Sequence, residues 1–154
     1  GLDRYDMADK KILIVDTDAS HLDFLAQLFK PHRFKIIRAK DGVEAQDKFK
    51  EERPDLVILE ALLPKLHGFD LTKKITQETR GAVPVIIVTG LYRGSHYRHE
   101  AISSFGAKEY FEKPYDKEKL LAAVLSLLDE EEEIQDELPD SDAIVEHLSN
   151  RIKK

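Results

Sequence analysis

Acidic, hydroxyl and amine side chains recur where short apolar runs end. Asp16-Thr17-Asp18 follows KILIV, Ala39-Lys40-Asp41 lies just beyond FKII, and Glu60-Ala61 follows LVIL. Thr89-Gly90 follows VIIV, and Glu112-Lys113-Pro114 closes the run around Tyr110-Phe111. Two or three carboxylates gathered at one rim can hold a hard divalent cation such as Mg2+, which takes oxygen ligands in octahedral geometry. A lysine ammonium and a hydroxyl beside them can neutralise phosphoryl or carboxylate oxygens. Together these parts resemble a site for placing a phosphoryl group on a carboxylate.

For these residues to meet, the runs before them must lie side by side. Lys11–Val15, Phe34–Ile37, Leu56–Leu59 and Val85–Val88 are short, β-branched and bounded by charge or proline, with Tyr110–Phe111 a weaker fifth. Near-continuous apolar runs of this length fit strands buried on both faces of a parallel sheet. Helix-period segments separate them, over His21–Lys30, Asp41–Lys50, Gly68–Glu78, Tyr97–Phe105 and Asp116–Leu128. Asp41 and Asp116 are placed to cap theirs, and Leu120, Leu121, Val124, Leu127 and Leu128 form an apolar stripe in the last. Five strands alternating with five helices predict an α/β fold, a doubly wound five-stranded parallel sheet. In such sheets the working site lies at the carboxyl ends of the strands, where those acids, hydroxyl and lysine fall.

The chain has 154 residues, enough for one domain and a tail. The apolar share of 42% and charged share of 35% suit a domain with a well-solvated surface. With no cysteine, disulfides and thiol chemistry are excluded. The apolar runs are too short to span a bilayer, and no secretory signal opens the chain, so a cytoplasmic protein without membrane contact is expected. The net charge of −6 is unevenly placed: residues 129–142, DEEEEIQDELPDSD, carry nine acidic residues and no basic one, which leaves residues 1–128 close to balance. That pattern divides the chain into a polar segment 1–9, a domain over 10–128, and an acidic linker and amphipathic tail over 129–154. Ile144, Val145, Leu148 and Ile152 could line one side of a short helix in that tail, which would dimerise, dock or begin an output module.

KILIVDTD, PDLVILEALLPKLHGFD, VPVIIVTG and GAKEYFEKP resemble, in order, the signatures of bacterial response-regulator receiver domains of the CheY-like type. The resemblance covers about residues 10–128 and implies the flavodoxin-like fold already inferred. It implies an acidic pair after the first strand, a phosphoacceptor aspartate after the third, Thr or Ser after the fourth and Lys-Pro after the fifth, with Mg2+ bridging acids and phosphoryl group. By position, Asp16 matches the first acid, Thr17 stands where the second is expected, and Asp18 matches the acid often found beside the pair. Glu60 stands at the phosphoacceptor, Thr89 at the switch hydroxyl, Tyr110 at the switch aromatic, and Lys113 and Pro114 at the lysine and proline.

Two departures bear on function. Glutamate is longer than aspartate by one methylene, and in-line phosphoryl transfer depends on fine placement of oxygen, metal and phosphoryl group. Thr17 removes a formal charge from a cation site with few protein ligands. The pair of changes predicts an atypical receiver, or pseudo-receiver, without ordinary Mg2+-dependent phosphorylation. No cofactor is expected, and Mg2+ only weakly, at Asp16 and Glu60. Glu60 is expected to accept hydrogen bonds from Lys113 or Thr89, each worth about 1.5–3 kcal/mol. It then either mimics the active state or locks a static scaffold. The rivals are a phosphate-accepting receiver in a phosphorelay, using Glu60, Asp16 or Asp18, and a metal-dependent hydrolase.

Output is expected through proteins docking on the fourth-strand, fourth-helix and fifth-strand face, with a homodimer as one form. Arg93, His96, Tyr97 and Arg98 offer aromatic and arginine side chains there. The plainer reading is a solvated loop with an arginine paired to nearby acids. Nucleic-acid binding by this chain alone has little support, because a short basic stripe on a neutral domain is weak evidence. The histidines His21, His32, His67, His96, His99 and His147 show no ligand pair with a nearby carboxylate, and no GxGxxG or Walker pattern is present.

Overall fold

The computed structural model describes residues 9–137. Five strands, β1 (Lys11–Val15), β2 (Lys35–Ala39), β3 (Leu56–Leu59), β4 (Val85–Thr89) and β5 (Glu109–Glu112), alternate with five helices. The helices are α1 (Ala19–Phe29), α2 (Gly42–Glu52), α3 (Gly68–Thr79), α4 (Ser95–Ser103) and α5 (Lys117–Glu137), with one 3-10 turn at Lys30–His32. The strands form one parallel sheet in the order β2-β1-β3-β4-β5. The order reverses between β1 and β3, so the crevice of this doubly wound sheet opens beside those two strands' carboxyl ends.

The central strands are apolar on both faces because both are covered. Ile12, Ile14, Ile58, Ile86 and Val88 pack against Leu22, Leu25 and Phe29 of α1 and Leu120, Val124 and Leu128 of α5. Leu13, Val15, Val57, Leu59 and Ile87 face the other way, onto Ala45 and Phe49 of α2, Leu71 and Ile75 of α3 and Ala101 of α4. Each such buried aliphatic side chain contributes about 1.5–3 kcal/mol. α4 is the exception: Ala101 is its only buried residue.

Several boundaries differ from the sequence expectation. β2 begins at Lys35 because its register with β1 runs from Lys11–Lys35 to Val15–Ala39. Phe34 is left at the strand entrance, edge-on to Phe29 with ring centroids 6.0 Å apart. α1 starts at Ala19, two residues before the expected His21, because the Asp18 side chain accepts the Ser20 N–H and caps it. α4 covers Ser95–Ser103 rather than Tyr97–Phe105, since Gly94 can enter the helix at φ 109° and Gly106, at φ 89°, turns the chain after it. α5 continues past Leu128 to Glu137. Residues 117–137 contain neither glycine nor proline, and Glu and Gln are good helix formers. The amphipathic pattern at Ile144, Val145, Leu148 and Ile152 lies outside the described residues, as does most of the 1–9 segment. Among the described residues no helix is long and apolar enough to cross a membrane.

Candidate functional site

Hydrogen bonds that continue the sheet beyond its strands build the rim. The Asp16 N–H donates to the Ala39 carbonyl at 3.1 Å and the Glu60 N–H to the Val15 carbonyl at 3.0 Å, so the residues after β1 and β3 sit side by side. On the other side, the Lys113 N–H donates to the Thr89 carbonyl at 2.8 Å and sets Lys113 across from β4. Gly68 closes the floor. Its N–H donates to the Ala61 carbonyl at 2.7 Å, and a Cβ there would meet the Glu60 carbonyl at 2.4 Å. The first turn of α3 thus rests directly on the backbone at Glu60.

Asp16 is the centre of the rim and only 2% exposed. Its Oδ1 accepts the Asp18 N–H at 2.9 Å. Its Oδ2 takes two donors, Lys113 Nζ at 2.9 Å and His21 Nδ1 at 2.8 Å. Burial pushes its pKa up, but the hydrogen bonds from His21, Asp18 and Lys113, with the Lys113 charge, outweigh it and hold the carboxyl at about 2. Burial likewise works against the Lys113 charge, and Asp16, then Glu60, hold its pKa above the ordinary lysine value. Beyond His21, Nε2 meets the Tyr115 hydroxyl at 2.7 Å. Burial first, and the Asp16 charge second, push that hydroxyl up to about 12. It keeps its proton, and with hydrogen on Nδ1 the His21 ring links Tyr115 to Asp16 in an unbroken hydrogen-bonded chain.

Glu60 is held more lightly. Its Oε2 accepts the N–H of the next residue, Ala61, at 2.7 Å. Its Oε1 lies 3.4 Å from the Gly90 N and 3.5 Å from Lys113 Nζ. The expected contact with Lys113 is present as this looser ion pair, while the tight bond of Lys113 goes to Asp16. The expected hydrogen bond from Thr89 is not formed. The buried Thr89 hydroxyl accepts the Leu91 and Tyr92 N–H groups at 3.2 and 3.3 Å and is occupied in turning the loop after β4.

Other expected rim residues serve elsewhere. Thr17 is exposed, and Asp18 is the cap of α1. Asp41 caps α2 by accepting the Glu44 N–H at 2.7 Å and pairs with Lys65 at 3.5 Å, so it takes no part in the Asp16 network. Pro114 follows Lys113 through a cis peptide bond. Tyr110 is buried, and its hydroxyl donates to the Tyr92 carbonyl. Burial and the charges of Glu112 and Glu60 push that hydroxyl up to about 12, with Arg98 opposing. The Arg98 guanidinium lies 5.7 Å from the Tyr110 ring centroid. Arg93 donates to the Lys113 carbonyl and pairs with Glu112 at 3.7 Å, the plainer of its two expectations. His96 and Tyr97 remain exposed, with Tyr97 edge-on to Tyr92 at 5.2 Å.

These residues do not fit a bound Mg2+ well. The cation needs carboxylate oxygens at about 2.0–2.1 Å. Asp16 Oδ2 already holds two donors, Thr17 brings no charge, and Glu60 Oε2 is turned to its own backbone. Among the described residues no three His, Cys, Asp or Glu side chains gather as a metal site. At the weak site expected at Asp16 and Glu60, both carboxylates are paired within the chain. His21 and Tyr115 went unrecognised in the sequence. The only available signal was the Asp18 cap, which puts His21 in the first turn of α1 and returns its ring towards the rim.

Comparison with known proteins agrees with this architecture. The family model described as the response regulator receiver domain matches residues 12–125. Response regulator MprA of Mycobacterium sp. (strain KMS) is 33% identical over 134 residues, covering 87% of this chain and 56% of that protein. The chain thus spans little more than half of that relative's length. Protein PilH of Pseudomonas aeruginosa is 30% identical over 119 residues, covering 77% of this chain and 97% of PilH. A crystal structure of a CheY-like response regulator receiver domain protein from Methanospirillum hungatei JF-1 superposes with a TM-score of 0.74 at 29% identity, covering 82% of this chain and 98% of that one. Fold, rim and these matches lead to one statement: the chain belongs to the response-regulator receiver domain family.

Proposed function

We propose that this receiver domain transmits signals through protein contacts without accepting a phosphoryl group in the usual Mg2+-dependent way, and without catalysis of its own. The observation that carries the proposal is the double occupation of Asp16 Oδ2 by His21 and Lys113 beside a glutamate at the acceptor position. In-line transfer to a carboxylate needs a free attacking oxygen and a cation to gather charge on the phosphoryl oxygens. Here Glu60 is a standing negative charge near Lys113. Tyr110 is held inward by the Tyr92 carbonyl, which supports a fixed arrangement of the β4–α4–β5 face for a partner or a second copy of the chain. Arg93, His96, Tyr97 and Arg98 belong to that surface. The setting is the cytoplasm, and the division into 1–9, 10–128 and 129–154, with the last leading towards an output module, belongs to the same proposal.

Incubation of the protein with acetyl phosphate and Mg2+, followed by intact-mass measurement, tests it. The expected mass is unchanged. A stable gain of about 80 Da, that of an added phosphoryl group, mapped to Glu60, Asp16 or Asp18, would falsify the proposal.

A further inference from the structure

We infer that His21, held by Tyr115, is the residue that closes this site to divalent cations, taking the place at Asp16 that a metal ion would need. The inference rests on the reading of the site as one that works without Mg2+, and it assigns a cause to it within this chain.

The geometry is specific. The His21 ring is fixed at both nitrogens, at 2.8 Å from Asp16 Oδ2 and 2.7 Å from the Tyr115 hydroxyl. It is packed as well, edge-on to Tyr115 at 5.7 Å and stacked with Phe24 at 6.4 Å between centroids. A ring fixed in this way is not a free side chain that swings aside for a cation. Nδ1 donates to Asp16 whether the imidazole is neutral or charged, so the block does not depend on titration. Lys113 is the second donor to the same oxygen, and the Asp18 N–H engages the other. A cation approaching Asp16 must displace a hydrogen-bond donor from a carboxylate that is almost wholly buried. Thr17 offers no charge to offset that cost, and Lys113 repels the incoming ion. Lys113 must also stay beside Glu60, which leaves His21 as the contact that a single substitution can remove.

The test is Mn2+ binding to the full chain, followed by calorimetry and by the electron paramagnetic resonance of free Mn2+. His21→Ala is expected to bind Mn2+ more tightly than wild type by on the order of tenfold. Tyr115→Phe, which leaves the ring in place but frees Nε2, is expected to show a smaller gain in the same direction. Adding Asp16→Asn to His21→Ala should abolish the gain, and this separates the rim from the acidic residues 129–142. Equal affinity in wild type and His21→Ala, whether strong or absent, overturns the inference, as does a gain that survives Asp16→Asn. Should His21→Ala fail to fold by circular dichroism, Tyr115→Phe alone decides, and no gain there overturns it. Failure here leaves the phosphorylation reading standing on its own mass measurement, and an adduct in that measurement leaves the metal affinities to be judged separately.

Discussion

The two carboxylates of the rim sit at the ends of adjacent strands and are held in opposite ways. Asp16, after β1, is buried and takes three hydrogen bonds, from residues in or near α1 and from Lys113 after β5. Glu60, after β3, is bound by its own neighbour and otherwise touches only donors at 3.4 and 3.5 Å. The contrast extends outward. The Asp16 side is backed by α1 and α5, each with several buried apolar residues, whereas the Glu60 side leads to the loop after β4 and to α4, which buries Ala101 alone. Charge on the first side is locked into the fold, and charge on the second stands at the edge of its least anchored element. The proposed function rests on this contrast, between a carboxylate paired within the fold and a surface left open to contacts.

Exchanging carboxylates for amides would test that contrast most strongly. Asp16→Asn should cost about 3 kcal/mol, because it strips the counter-charge from a partly buried lysine. Glu60→Gln should cost no more than about 1 kcal/mol, since an amide oxygen still accepts from Ala61. Urea unfolding of both variants measures this, and the reverse order would break the comparison.

Acid is the next probe. The Asp16 pKa lies below its ordinary value, so its contribution is complete above about pH 4 and is lost as pH falls through about 2, a loss of about 2 kcal/mol. Unfolding curves of wild type should show this step, and those of Asp16→Asn should lack it.

On the lighter side, Tyr110→Phe removes the bond to the Tyr92 carbonyl and should cost about 1 kcal/mol. Hydrogen exchange should then speed up in the 90–94 loop and α4, and not in α1 or α5. Arg93→Ala is expected to be smallest, within about 0.5 kcal/mol by thermal melting, since its ion pair with Glu112 is long, at 3.7 Å, and the arginine is half-exposed.

Much of the fold could be read from the chain because its signals are local. Four apolar runs bounded by charge or proline and the Asp41 cap each specify their element with little help from distant residues. The ends of α1 and α4 were misjudged where a cap or a glycine, rather than the apolar pattern, decides the boundary. At the site, Asp16, Glu60, Thr89 and Lys113 were legible because each ends or follows a strand. Their bonds were not. Whether Lys113 turns to Asp16 or to Glu60, and whether Thr89 faces the rim or its own loop, depends on a few tenths of an ångström and on competing backbone donors. His21 was hidden for another reason: a histidine in a helix gives no hint of a tyrosine 94 residues away.

That long separation has a consequence for how the chain assembles. The clasp from His21 to Tyr115 and Asp16 to Lys113 joins the start of the first crossover to the loop between β5 and α5, across sequence separations of 94 and 97 residues. Contacts between such distant residues form only after the intervening loop entropy has been overcome. The acidic pocket therefore depends on contacts that span most of the domain. A nascent chain that has made β1 and β3 already carries both carboxylates, and it stays without the finished rim until β5 has joined the sheet.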